Sequence, residues 1–438
     1  KPLKGFERRF LKRVVEDDTY VSDRVEALVR YALNLARIDA LEGPAGEVWE
    51  LAGVVDELRT WMIETLVPAI PEHGQEERDL LVGQREELAR RVDETRDAVV
   101  QATDGAIDRN YLDEELRQKS LVLVLGGGGG SGLFHLATFS MLEEIGVTPE
   151  FIVGSSMGSV LGLLRSLDRE YNPLTAALAL PRELNYEHVF RPYTGQSRYG
   201  FPGAYHLNIT RLARQIFEAF FDTPDIRFED LAIPLEVVTC GVTRGFELEE
   251  SEAVSEPEDV PDPVSLQSIR KNTKRLFGAA RRLIAESGFL KRIPFGREMT
   301  REFPVIEAVG FSCAVPGFLN FDIFHDDPAS IEPLEAIFER EGLLRLCDGG
   351  IVSNVPSKTA WESVQAGKIA TRNTWIASFD VFAPVPRRQN VIWLPIQQLI
   401  RPNVLAERPY SDYHKTFRNP PDPTRVLMNS YSEIRDVL

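Results

Sequence analysis

The sequence is short of the residues that staple or ligate a fold. Its three cysteines, Cys240, Cys313 and Cys347, are odd in number, far apart and set in apolar stretches. That pattern argues against a disulfide framework or a metal site and predicts buried thiols in a reducing, cytoplasmic compartment. No cofactor or metal is expected. Long apolar runs are missing too. Nothing approaches the roughly 18 to 20 residues that span a bilayer, and the opening KPLKGFERRF lacks the apolar segment of a secretory signal. The chain starts at Lys1 and not at methionine, as a trimmed segment would, which leaves flanking sequence open. Basic charge is in deficit: 50 Lys and Arg face 67 Asp and Glu, for a formal charge of −17. A negative field of that size repels nucleic acid and anionic bilayers. Nucleic acid is therefore not expected as a partner, and any membrane contact must be local and peripheral.

What the chain does contain is enough for a packed interior, since 43% of its residues are hydrophobic and 27% charged, as in ordinary globular proteins. At 438 residues it exceeds the usual size of a single core. The expected organisation is a helical N-terminal region at 1–118, a catalytic domain at 119–390 and a C-terminal segment at 391–438. Homo-oligomerisation stays open at this level.

From Lys1 to about Ser120, apolar residues recur at helical spacing. Val25, Leu28, Val29, Tyr31, Ala32 and Leu35 share one face. EERDLLVGQREELARRVDETRDAVV reads as one long helix with a solvated outer face. The grammar changes at Leu121, where LVLVL is a short apolar run followed at once by Gly126 to Gly130, Ser131 and Gly132. A buried parallel strand fits that run. LFHLATFSMLEEI then reads as a helix, FIV as a strand, Gly154-Ser155-Ser156-Met157-Gly158 as a turn, and SVLGLLRSL as a helix. Further strands are expected at LEVVTCGV near Leu235, VIEAVGF near Val305, LLRLCD ending at Asp348, and TWIASFDV near Trp375. The alternation predicts an α/β core with a mainly parallel sheet. Within it, 251–300 reads as an inserted loop leading into a basic amphipathic helix, in which Arg270, Lys271, Lys274 and Arg275 flank an apolar face. Such a helix either packs on the catalytic domain or docks on a membrane surface.

The chemistry centres on Gly154-x-Ser156-x-Gly158. Small neighbours let a chain turn tightly from strand to helix and present a serine hydroxyl above the sheet. The upstream glycines admit three readings. Gly127-x-Gly129-x-x-Gly132 matches a dinucleotide fingerprint, but the next strand ends in Gly154-Ser155-Ser156 and not in the acid that would hold a ribose. A phosphate-binding P-loop needs Lys then Ser or Thr, and Leu133-Phe134 follows instead. The third reading is an oxyanion hole, in which the N–H groups around Gly127, Gly128 and Gly129 converge beside the nucleophile, with Gly130 and Gly132 shaping the loop. Ser156 also needs a base. None of the six histidines sits in a recognisable catalytic signature. Asp348 ends an apolar strand, and Gly349-Gly350 lets the chain turn away from it. A carboxylate desolvated in a cleft gains basicity, so a Ser156–Asp348 dyad follows.

GGGGGSG, GSSMG and DGG, in this order and at these separations, resemble the patatin-like phospholipase family. The likeness extends to Ala308–Phe318 and to Asn354-Val355-Pro356, and covers roughly Leu121 to Val381. It implies a three-layer α/β/α fold and hydrolysis of fatty-acyl esters in phospholipids, lysophospholipids or neutral lipids through an acyl-enzyme on Ser156. Ser131 stands where the family usually carries Arg or Lys. Two rival readings use the same residues: an α/β-hydrolase triad of Ser156, Asp348 and His414, and a catalytically silent lipid-binding or scaffold protein.

Overall fold

The apolar stripes of the first 120 residues become helices in the computed structural model, which describes residues 2–17, 19–68, 74–171, 189–192, 197–221, 223–246, 278, 282–283, 286–369, 371–384 and 394–417. The chain divides into two units, Lys1–Ser120 with Trp361–Trp375, and Leu121–Ala360 with Ile376–Leu438.

The first unit contains α1 (Pro2–Glu16), α2 (Asp23–Ala36), a hairpin of β1 (Ala40–Glu42) and β2 (Val48–Glu50), then α3 (Asp56–Thr65), α4 (Gly74–Gly83), α5 (Arg85–Ala102) and α6 (Arg109–Arg117). Helix α2 buries Val25, Val29, Ala32, Leu33 and Leu35, the three-and-four spacing that puts one face toward a core. Phe6, Phe10, Met62, Val99 and Leu112 complete that interior. The long charged helix expected here is two helices, α4 and α5, broken at Gln84. Gly83 stands at the break, where glycine's backbone freedom costs a continuous helix up to about 1 kcal/mol. The hairpin was not foreseen, because three-residue strands are too short to show an alternation.

From Ser120 onward strands and helices alternate: β3 (Ser120–Leu125), α7 (Phe134–Glu144), β4 (Phe151–Ser155), α8 (Met157–Ser166), β5 (Phe190–Pro192), β6 (Gly203–Leu207), α9 (Ile209–Phe221), β7 (Leu235–Thr243) and β8 (Leu290–Phe295). There follow α10 (Val305–Ser312), β9 (Gly317–Asn320), α11 (Pro328–Glu341), β10 (Leu343–Asp348), α12 (Gly350–Ser353), α13 (Ser357–Gln365), β11 (Thr374–Asp380), α14 (Leu394–Glu407) and β12 (Tyr413–Thr416). The main sheet has the order β10-β7-β4-β3-β11-β12, with β8 also on β7. Pairs β3–β4, β4–β7 and β11–β12 are parallel, whereas β10 and β8 run antiparallel to β7. A second sheet has the order β5-β6-β9. Strands β3 and β4 are buried on both faces, Val122 to Leu125 and Phe151 to Ser155 alike, which is why they read as continuous apolar runs.

One element changes type. VIEAVGF is helix α10 and not a strand, and every residue from Val305 to Ser312 in it is buried. A helix apolar all round has the same signature as a buried strand over so short a run, and the β-branched Val305, Ile306 and Val309 bias the reading toward strand. Burial decides the outcome, with Glu307 bonded to His325 at 2.8 Å. The basic segment with Arg270, Lys271, Lys274 and Arg275 lies outside the described residues. Among the described residues, no helix is long and apolar enough to cross a membrane.

Candidate active site

Strand β7 is the rule against which the two key side chains are set. Its first half pairs with β4, placing Ser155 opposite Val238, and its second half pairs with β10, placing Asp348 opposite Thr239. Because β4 is parallel and β10 antiparallel to β7, the two strands run head to head along it and stop at adjacent residues. Ser156 and Asp348, 192 positions apart in the chain, therefore meet, and Ser156 Oγ donates to Asp348 Oδ2 at 2.7 Å.

Ser156 follows β4 and caps α8 with φ 51° and ψ −129°. A non-glycine residue there carries strain of about 1 to 3 kcal/mol and persists only where its surroundings hold it. They do so from both sides. Its carbonyl accepts from Ser159 N–H at 2.8 Å and from Ser159 Oγ at 2.6 Å, and its N–H donates to Ser312 Oγ at 2.8 Å. The turn is tight enough that a Cβ on Gly158 would lie 2.1 Å from Leu125 O, so only glycine fits. Gly154, its partner in the pentapeptide, is the penultimate residue of β4.

Asp348 is 5% exposed. Its Oδ1 accepts from Gly350 N–H at 2.7 Å, and its own N–H donates to Ala314 O at 2.9 Å. Burial pushes its carboxyl up to about 6, against the downward pull of the Ser156 and Gly350 hydrogen bonds. The carboxylate is thus present at neutral pH and more basic than an exposed one, as a proton acceptor requires. Gly349 is forced by close approach, since a Cβ there would sit 2.0 Å from Val238 O.

The glycine loop lies beside Ser156, with Gly127 against Ser156 Cβ. Its amides divide. Gly126 N–H goes to Phe379 O and Gly127 N–H to Asn354 O, each at 3.0 Å. Gly127 thus spends its amide on the scaffold, unlike the expectation that it faces an oxyanion. Gly128 and Gly129 find no acceptor among the described residues, and neither does Met157 at the first position of α8. Gly129, Gly130 and Gly132 fall in a 3-10 turn spanning Gly129–Leu133. Ser131 is 1% exposed in that turn and donates its N–H to Gly128 O at 3.1 Å. Asn354 also donates from Nδ2 to Gly127 O at 3.3 Å, so one residue grips that glycine on both edges. His135 is fully buried against Gly126 O at 2.9 Å, and burial pulls its ring down to about 4. Neutral at ordinary pH, its Nε2 carries the proton donated to that carbonyl.

His414 is placed elsewhere, on edge strand β12 opposite Ser378, three strands from β4 in the sheet order. Among the described residues no histidine bonds to Asp348. The sequence reading assigned no role to Ser312, Asn354 or Met157. The first two sit in stretches already noted, but a serine gripping a backbone amide leaves no pattern in one sequence.

Comparison with known proteins adds the family. The family model for patatin-like phospholipase matches residues 123–361, more than half of the chain. The chain belongs to the patatin-like phospholipase family. The mainly parallel sheet flanked by helices is the three-layer α/β/α fold of the patatin domain. Among relatives, a lysophospholipase NTE1 of Coccidioides immitis is 41% identical over 66 residues, covering 15% of this chain and 4% of that protein. Another lysophospholipase NTE1, from Kluyveromyces lactis, is 41% identical over 63 residues, covering 14% and 4%. Patatin-like phospholipase domain-containing protein 6 of Mus musculus is 28% identical over 147 residues, covering 31% and 10%. The chain spans a tenth or less of these relatives. Membership in this patatin-like family places it among lipid ester hydrolases at the family level.

Proposed function

We propose that this patatin-like protein hydrolyses fatty-acyl esters of phospholipids or lysophospholipids through an acyl-enzyme on Ser156, with Asp348 as the base. The observation that carries the reading is the 2.7 Å bond from Ser156 Oγ to a buried carboxylate whose proton affinity is raised to about 6. As Oγ attacks the acyl carbon, its proton passes to Asp348 Oδ2. The negative charge that develops on the carbonyl oxygen is stabilised by the N–H groups of Gly128, Gly129 and Met157. Collapse breaks the ester bond, and the leaving alkoxide takes the proton back from Asp348. Water then attacks the acyl-serine with Asp348 again as base, releasing the fatty acid and restoring Ser156. The names of the lysophospholipase relatives support the substrate class.

The test is direct. The purified chain should hydrolyse a short-chain p-nitrophenyl ester, react with a fluorophosphonate probe, and cleave one or more members of a panel of phospholipid and lysophospholipid vesicles. A folded protein inert to all three contradicts the proposal. His414→Ala should leave the rate near wild type, and a loss of several orders of magnitude would instead support a triad. The same assay carries a pH signature. Asp348 must be ionised to accept a proton, so kcat/KM should climb with pH through about 6 and level off above it. A profile flat from pH 4 to 8 would remove Asp348 as the base.

A further inference from the structure

We propose that Ser312 is the positioning residue of the dyad, a single side chain and carbonyl that tie the nucleophile's turn and the acid's turn to β7. This rests on the functional reading above. The hydroxyl is fully buried at the end of α10. It donates to Val238 O at 2.6 Å and accepts from Ser156 N–H at 2.8 Å. A hydroxyl has one proton, and Val238 takes it, so a lone pair is left facing Ser156. The backbone of Ser312 serves the other partner, its carbonyl accepting from Gly349 N–H at 3.3 Å, next to Asp348. Two residues on, Ala314 O holds Asp348 N–H at 2.9 Å.

The anchor is well chosen, because Val238 sits opposite Ser155 and its neighbour Thr239 sits opposite Asp348. Ser156 is the one residue of the site whose φ of 51° opposes its own side chain. Its amide has to be pointed, and Ser312 Oγ is what it points at. Without that acceptor, the turn is free to relax toward an ordinary φ, which carries Oγ away from Asp348.

Ser312→Ala and the near-isosteric Ser312→Cys, whose thiol is a weak acceptor, test this. In both, kcat and the fluorophosphonate labelling rate should fall by about tenfold to a hundredfold, the scale of a small misplacement, with KM nearly unchanged. The acidic limb of the pH profile should also move above its wild-type position, because the Ser156 hydrogen bond lowers the Asp348 pKa. A structural role alone moves neither the labelling rate per folded molecule nor the limb. Ser378→Ala provides the comparison: it removes buried hydroxyl bonds to Ser357 at 2.9 Å and Ser411 at 2.7 Å, away from the dyad, and should alter stability only. If Ser312→Ala does not fold, Ser312→Cys decides. Either folded variant labelling at the wild-type rate overturns the assignment, whereas a wild type that does not label overturns the functional reading on which it stands.

Discussion

Replacing Ser156 with alanine is expected to abolish ester hydrolysis and fluorophosphonate labelling together. The loss should reach about 10^4-fold or more, the scale seen when a nucleophile is removed from an acyl-transfer site. Every backbone contact of the turn survives this change. The carbonyl keeps Ser159 and the N–H keeps Ser312, so the variant should fold as wild type does. Activity and stability thus separate cleanly in a paired measurement of hydrolysis and thermal unfolding. A Ser156→Ala protein retaining more than about a hundredth of the rate would show that another group attacks the ester.

Asp348→Asn should be nearly as damaging to the rate, since an amide cannot take the serine proton. It should also make the protein more stable at neutral pH. The sign follows from the direction of the shift: burial raises the folded carboxyl from 3.8 to about 6. Folding therefore favours the protonated form. The stability contributed by that form is fully present below 3.8 and is lost as pH rises through about 6, a difference of about 3 kcal/mol. A neutral asparagine avoids that loss. Denaturant unfolding at pH 4 and pH 8 should show the variant level with wild type at the lower pH and more stable at the higher one. Equal stability at both values would mean that the carboxylate is not desolvated. Retained hydrolysis would remove Asp348 from the chemistry.

That Ser156 and Asp348 would be brought together was legible because one follows a strand and the other ends one, each with small residues around it. A strand that stops at a functional group and must turn at once leaves a compositional trace, as Gly154 to Gly158 and Asp348 to Gly350 do. Strands β3 and β4 were readable for a related reason: burial on both faces made them short apolar runs, and β7, β10 and β11 kept enough apolar or β-branched residues to read as strands despite Glu236, Arg345 and Ser378. The same logic misplaced α10, which is buried on every side and so looks like a strand. Hydrogen bonds from ordinary residues to backbone groups were the least visible. Nothing in the sequence says that Gly127 gives its amide to Asn354 O, or that the Met157 amide finds no acceptor among the described residues. Those facts depend on where the loops run and not on which residues they contain.

The head-to-head arrangement on β7 has a consequence for tolerance to change. A pair of groups 192 positions apart would ordinarily depend on the length and path of everything between them. Here each group takes its place from a strand pairing within a residue or two of itself, on neighbouring positions of a third strand. Outside Ser159, Ser312 and Ala314, which hold the two groups, the stretches joining β4 to β7 and β7 to β10 therefore act as tethers and not as spacers. Their lengths can grow or shrink without altering the separation of Oγ and Oδ2, as long as Val238 and Thr239 keep their registers and Ser312 and Ala314 keep their bonds.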